Sequence, residues 1–212
     1  MRPPADFSTT FPNISENQKA QLTQFAELLI GWNEHVNLIS RKNTDEIWHQ
    51  HLMHSLMLTK VVQFAKGQKV MDVGTGGGLP GIPLAIAFPE TNFLLVDSIG
   101  KKIRVVQNMI REMGLSNVRA EQRRAEQVND TFDFVVSRAV TRLPAFTQWV
   151  EKSIRSGNDA TLPNGILYIK GGDFQEELKE IECPQRVWDM QQWNADPFFE
   201  TKKIVWLGVK SR

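Results

Sequence analysis

The chain has 212 residues, 41% of them hydrophobic, enough for a sizeable buried core in one α/β domain with an appendage. Its 25 Lys and Arg balance 24 Asp and Glu, so no global field draws it to nucleic acid, and any RNA contact must come from a local patch. The longest apolar stretch, 82–88, is broken by Pro83 and too short to span a membrane; Arg2-Pro3-Pro4 leads into polar residues unlike a signal peptide, and the single Cys183 cannot pair internally, so the chain reads as cytoplasmic.

Residues 1–66 read as a helical extension without strand periodicity, and residues 67–212 as a ligand-binding α/β domain. In the extension, Ser15-Glu16-Asn17-Gln18 is a capping-box pattern, after which Leu22, Phe25, Leu28 and Leu29 mark one apolar helix face. A second helix is predicted over 44–64. It carries His49, His51 and His54, and the spacing of the last two raises a metal site. Without a Cys or carboxylate cluster nearby, these read as surface or packing histidines, and no metal is expected.

From residue 67 onward apolar strands alternate with amphipathic helices, the pattern of a largely parallel sheet covered on both faces. Strands are predicted at 69–73, 92–97, 118–121, 132–137 and 165–170, followed by an antiparallel pair at 187–190 and 204–209 with the loop around Pro197 between them. A helix over 100–113 places Ile103, Val106, Ile110 and Met113 on one stripe and Arg104, Asn108 and Arg111 on the other, with Gly114 as its stop. A further helix over 141–156 buries Leu143, Phe146, Val150 and Ile154, and Phe146 and Trp149 read as ordinary core rather than base-stacking residues.

The richest segment joins the first strand to its helix: Val70-Met71-Asp72-Val73-Gly74-Thr75-Gly76-Gly77-Gly78-Leu79-Pro80-Gly81. Its glycines permit positive φ and let a ligand approach bare backbone. A phosphate-cradling P-loop needs Lys and then Ser or Thr near Leu79-Pro80, so that class is excluded. The dinucleotide pattern G-x-G-x-x-G is matched by Gly76, Gly78 and Gly81, and Asp97 lies near the roughly 20-residue offset of a ribose-binding acid. A nicotinamide-dependent oxidoreductase is therefore one rival reading, although no Tyr-Lys or His-Asp proton relay is evident and the only tyrosine, Tyr168, lies inside a strand. S-adenosylmethionine offers the same ribose to Asp97 but carries a sulfonium and an amino group where NAD carries phosphates. Asp72, two residues before the first glycine, attracts those cations. The blander roles are an acceptor for the turn's N–H groups at Asp72 and a helix N-terminal carboxylate, ahead of Lys101 and Lys102, at Asp97. Five near-parallel strands followed by an antiparallel pair also fit a methyltransferase sheet better than a six-stranded dinucleotide fold.

Segment 74–84, then Leu95-Val96-Asp97-Ser98-Ile99-Gly100-Lys101-Lys102, then Val136-Ser137-Arg138-Ala139, together resemble the RsmG (formerly GidB) family of bacterial 16S ribosomal RNA guanine-N7 methyltransferases. Trp32-Asn33, Asn37-Leu38, and His51 followed by Ser55 look like the family's helical lead-in, and Lys170-Gly171 resembles its last parallel strand, so the likeness covers nearly the whole chain. It implies a class I S-adenosylmethionine-dependent methyltransferase fold, α/β and Rossmann-like, with an N-terminal helical extension. It further implies S-adenosyl-L-methionine as cofactor and 16S ribosomal RNA or the small ribosomal subunit as partner; no membrane or obligate protein partner is evident. Gly74, Leu79, Ala125, Glu126 and Arg138 would then join Asp72, Gly76, Gly78 and Asp97 in the cofactor site. Two residues depart from the family pattern: Gly77 stands where proline is usual, and His54 where an acid is usual, so no salt bridge is carried over there.

Guanine N7 exposes a lone pair and holds no proton at neutral pH, so the implied reaction is direct in-line attack without a general base, and catalysis reduces to positioning and electrostatics. Cys183 sits in no motif for a cytosine-C5 nucleophile, and Ser137-Arg138-Ala139 replaces the Asp/Asn-Pro-Pro signature of exocyclic-amine enzymes. Arg138 is the candidate positioning residue, with the cofactor carboxylate, guanine O6 and an RNA phosphate all open as its contact, beside a purely structural pairing with Asp133 or a helix end. Candidate RNA contacts are Lys101, Arg123, Arg124 and Lys170, against the ordinary reading of such charges as a solvated face. A non-catalytic RNA-binding module on the same fold is the second rival.

Overall fold

Strands rich in Val, Ile, Leu and Phe, buried on both faces at the centre of the sheet and more polar and exposed at its two edges, form one seven-stranded sheet in the computed structural model, which describes residues 1–40 and 46–209. The strands are β1 (Lys69–Val73), β2 (Asn92–Asp97), β3 (Val118–Gln122), β4 (Phe134–Arg138), β5 (Gly165–Gly171), β6 (Gln185–Asp189) and β7 (Lys202–Gly208). Their order is β3-β2-β1-β4-β5-β7-β6. β1 to β5 are parallel, and β7 is antiparallel to both of its neighbours, β5 and β6. This is the mixed sheet that the strand pattern predicts, with β7 inserted between β5 and β6.

Strict alternation sorts the strand residues onto two cores. Val70, Phe93, Leu95, Phe134, Val136, Leu167, Ile169, Ile204 and Trp206 face one cluster, shared with α2 (Glu16–Asn33), α4 (Gly81–Ala87) and α5 (Gly100–Glu112). Met71, Val73, Leu94, Val96, Val135, Ile166, Tyr168, Val205 and Leu207 face the other, covered by α6 (Leu143–Val150) and α7 (Gln175–Lys179). The remaining helices, α1 (Phe7–Thr10) and the single turn α3 (His54–Leu56), belong to the N-terminal region. That region is continuous with the first core: Phe7, Leu22, Phe25 and Leu29 are fully buried, and each contributes roughly 1.5–3 kcal/mol. The Ser15–Gln18 capping box opens α2, and after the helix Asn33 Oδ1 accepts from Leu38 N and Ile39 N, turning the chain back toward the sheet.

Three predicted boundaries are corrected. The helix expected over 44–64 starts outside the described residues and then runs as a π-helical turn (Trp48–Met53), α3 and a 3-10 turn (Met57–Lys60). It ends before Phe64, where Gln63 N bonds to Thr161 Oγ1 and leads the chain toward β1. The helix expected over 141–156 is only Leu143–Val150 with a 3-10 turn (Glu151–Ser153), because the Thr141 backbone is held by Tyr168 and the Ile154 backbone bridges to Phe132. β4 begins at Phe134 rather than 132, since Asp133 serves as a junction: its carboxylate accepts from Lys69 N, Arg155 and Asn164.

Candidate functional site

The order of strands reverses between β1 and β4, and the crevice outside the carboxyl ends of such a sheet is where α/β folds bind ligands. A cleft of about 420 Å³ opens there. It is lined by Gly74 after β1, Asp97, Ser98 and Ile99 after β2, Arg123, Arg124, Ala125 and Glu126 after β3, Val140 after β4, and Lys102 and Trp149 from α5 and α6. Of the residues singled out in the sequence, the cleft therefore gathers Gly74, Asp97, Ala125, Glu126, Arg123 and Arg124. Asp72, Gly76, Gly78, Leu79 and Arg138 lie outside its lining, and the Leu79 side chain is buried in the first core. Trp149, read as core, is half-buried and forms part of the wall.

The turn after β1 is drawn tight by two carboxylates. Gly76 N–H donates to Asp97 Oδ2 (2.9 Å) and Ile99 N–H to Asp97 Oδ1 (2.9 Å), so one acid ties the glycine turn to the start of α5. Each oxygen keeps a further lone pair for a ligand hydroxyl. Asp72 is fully buried; its Oδ2 accepts from Thr75 Oγ1 (2.6 Å) and Gly81 N (2.9 Å), while Oδ1 has no hydrogen-bond partner. Burial pushes the Asp72 carboxyl up to about 7, against the pull of those two bonds and of the nearby Arg138.

Gly74 holds φ +70, and a Cβ there would stand 2.4 Å from Val140 Cγ2, so the residue meets both a conformational and a packing demand for glycine. Gly77 is bare for a different reason: a Cβ there would lie 2.8 Å from Leu29 Cδ1 and 3.1 Å from Leu38 Cβ, where α2 and the segment after it press on the turn.

Arg138 does not pair with Asp133, whose partner is Arg155. Its Nη1 donates to the Gln50 carbonyl (3.1 Å) and its Nη2 to His51 Nδ1 (3.1 Å), clasping the π-helical turn to the end of β4. Burial, opposed by Asp72, brings its guanidinium down to about 10, still charged at neutral pH. Burial and the Arg138 charge hold His51 down at about 3, so its imidazole is neutral. Because Nδ1 accepts from Arg138, Nε2 carries the proton, and that buried N–H has no partner. His54 is likewise buried, well below its usual range for the same leading reason, and packs edge-on to Phe198 (5.1 Å between centroids). His49 faces Asp6 at 3.3 Å.

The other expected RNA contacts divide. Lys101 is exposed in the first turn of α5. Arg123 pairs with Glu121 (3.2 Å) and still lines the cleft. Lys170 is committed elsewhere: it is largely buried and bonded to Glu177 (2.8 Å), between the rings of Tyr168 and Phe174. Sequence reasoning passed over Ile99 and Val140, two of the few exposed large apolar side chains among the described residues, and both line this cleft.

Residues 18–203 match the family model for rRNA small subunit methyltransferase G. A curated protein of Flavobacterium johnsoniae named ribosomal RNA small subunit methyltransferase G is 50% identical over 94% of this chain and 95% of its own length. Proteins of the same name from Cytophaga hutchinsonii and Bacteroides thetaiotaomicron are 46% and 44% identical, over 92% and 94% of this chain and 94% and 97% of theirs. Among solved structures, a SAM-dependent O-methyltransferase from Thermotoga maritima superposes with TM-score 0.56 at 13% identity, covering 78% of this chain and 67% of that one. A SAM-dependent methyltransferase from Aquifex aeolicus superposes with TM-score 0.54 at 14% identity, covering 74% and 89%. These two likenesses establish the fold as that of class I methyltransferases.

Proposed function

This chain belongs to the rRNA small subunit methyltransferase G family, and from that premise we propose that it transfers the methyl group of S-adenosyl-L-methionine to N7 of a guanine in 16S ribosomal RNA. Family membership sets aside the nicotinamide-dependent oxidoreductase. The observation that carries the reading is the cleft at the sheet's switch point, with Asp97 tied to the glycine turn on one side and exposed apolar Ile99 and Val140 among its walls. Its volume of about 420 Å³ suits a nucleoside-sized ligand. Asp72, buried beneath the glycine turn with Oδ1 unpartnered, and the charged Arg138 stand outside the cleft lining and would act on the ammonium and carboxylate of an amino-acid moiety through their charge.

S-adenosyl-L-methionine, when bound, supplies an electrophilic methyl group on a sulfonium. Guanine N7 has no proton to lose, and the site matches that economy: His51 offers no free lone pair, since Nδ1 accepts from Arg138 and Nε2 bears hydrogen. The residues' work is to hold and orient. Asp97 would accept from the ribose, Gly74 would leave room for it, and Ala125 and Glu126 would bound the base. Arg138 positions the N-terminal segment against the sheet and keeps N–H groups to spare for a ligand carboxylate, guanine O6 or phosphate. We read residues 1–66 as the extension that shapes the substrate side and 67–212 as the cofactor-binding domain. Arg123 and Arg124, which line the cleft, and Lys101, exposed in the first turn of α5, are the RNA contacts of this reading. The reaction belongs in the cytoplasm, on ribosomal RNA or the small subunit; among the described residues no helix is long and apolar enough to cross a membrane.

The test is incubation with labelled S-adenosylmethionine and 16S ribosomal RNA from cells lacking the enzyme, followed by mapping of 7-methylguanine. Label at another base position, or none, overturns the N7 assignment. Replacing Arg123 and Arg124 by Glu is expected to weaken RNA binding and flatten its salt dependence; an unchanged salt titration removes that patch.

A further inference from the structure

The loop after β4 runs 139–142 without a glycine, yet Ala139 stands at φ +51, in the left-handed region that residues with a side chain rarely adopt. Ala139 N–H donates to the Ile169 carbonyl (3.2 Å), and the two residues that follow are held by one buried hydroxyl. Tyr168, on β5, is fully buried, and its Oη accepts from Val140 N (2.7 Å) and Thr141 N (2.9 Å) while donating to the Thr141 carbonyl (2.9 Å). One donor and two acceptor positions are the whole capacity of a phenol, and all three are spent on this loop. Burial raises the Tyr168 hydroxyl, which keeps its donated proton in place. The ring is braced edge-on by Phe146 of α6 (4.8 Å between centroids). Lys170 and Glu177 extend the anchor, with Glu177 Oε2 accepting from Lys170 Nζ (2.8 Å) and from Leu143 N (2.7 Å) at the start of α6.

The loop's outward product is Val140, an exposed apolar side chain in the cleft wall, close enough to Gly74 to exclude any side chain there. We propose that Tyr168 is a positioning residue for cofactor binding: its hydroxyl sets the 139–142 loop and so seats Val140 as the wall of the cleft over Gly74. The inference rests on the reading of that cleft as the S-adenosylmethionine site. Without the hydroxyl, two backbone N–H groups lose their partner, the Thr141 carbonyl keeps only the 3.5 Å contact from Lys170 Nζ, and the left-handed turn loses part of what offsets its strain.

Calorimetric titration with S-adenosylhomocysteine of the wild-type chain, Tyr168→Phe, Val140→Ala and the double variant tests it, with thermal melts by circular dichroism to confirm folding. Tyr168→Phe is expected to weaken binding by about 5- to 10-fold, the scale of one lost hydrogen-bonding group. Val140→Ala is expected to weaken it by a smaller factor, and the double variant to be no weaker than Tyr168→Phe alone. If Tyr168→Phe costs the same factor with Val140 already truncated, the hydroxyl does not act through Val140 and the inference falls. Should Tyr168→Phe not fold, unchanged binding by Val140→Ala overturns the inference and weakened binding supports it. A wild-type chain that binds none overturns the cofactor reading and the inference with it.

Discussion

The turn after β1 and the loop after β4 meet over the cleft, where Gly74 abuts Val140, but they acquire their shapes from different sources. In the first, glycines at positions 74, 76 and 78 take φ of +70, +56 and +91, and the acids that gather the turn's N–H groups end β2 and stand within β1 itself. The second has Ala139 where glycine would be easy, and is held from the neighbouring strand by Tyr168 and by the Lys170–Glu177 pair. A shape written in local backbone freedom needs few distant partners, whereas a shape imposed by tertiary contacts exists only once the sheet has formed.

The sharpest way to break this contrast is to put a side chain where the two loops touch. Gly74→Ala meets a left-handed φ and an overlap with the stiff, β-branched Val140, and is expected to cost roughly 3 kcal/mol of stability by urea denaturation. Val140→Ala in the same chain should restore the part due to overlap and leave about 1 kcal/mol for the backbone. A cost that Val140→Ala does not change would mean that the loops are shaped independently.

That difference also accounts for what the sequence disclosed. All seven strands, the capping box at Ser15 and the α5 stripe were legible, because alternation, helical spacing and caps are local patterns. So were Gly74 and Asp97 as parts of one cleft. Tyr168 was legible only as a strand residue: nothing in Gly165–Gly171 announces that its hydroxyl reaches across to residues 140 and 141. The clasp of Arg138 on Gln50 and His51 was hidden for the same reason, since it joins positions almost ninety residues apart. Trp149 packs against the second core as its helical spacing implies, but spacing is silent on its other edge, which joins a cleft wall that several loops build together.

Asp97→Ala sharpens the contrast from the other side. It removes the acceptor of Gly76 N and Ile99 N along with the proposed ribose contact, and is expected to weaken S-adenosylhomocysteine binding by about 1–3 kcal/mol. Calorimetry at constant pH measures it. An unaltered affinity would mean that the ribose is held elsewhere and that Asp97 serves the turn alone.

The smallest effect is a pH dependence that separates Asp72 as hub of the turn from Asp72 as partner of a cation. Burial brings its folded value to about 7, above the roughly 3.9 of an unfolded carboxyl, so between those values the folded chain holds a proton that the unfolded chain has released. Stability from this group is therefore present at acid pH and lost as pH rises toward 7. Affinity for a cationic ligand runs the opposite way, because only the ionised carboxylate attracts it. From pH 6 to pH 8 the ionised fraction rises roughly tenfold, and S-adenosylmethionine affinity is expected to rise by up to that factor, with Asp72→Asn flattening the profile. His51 is held near 3, below its unfolded value of about 6.5, so its contribution to stability is lost as pH falls from about 6.5 toward 3 and opposes that of Asp72 over much of the same range; it stays neutral in the folded chain from pH 6 to pH 8, and the affinity profile is therefore the reading that isolates Asp72. A wild-type affinity that stays level from pH 6 to pH 8 would confine Asp72 to Thr75 and Gly81, and would leave the cationic end of the ligand to be held without it.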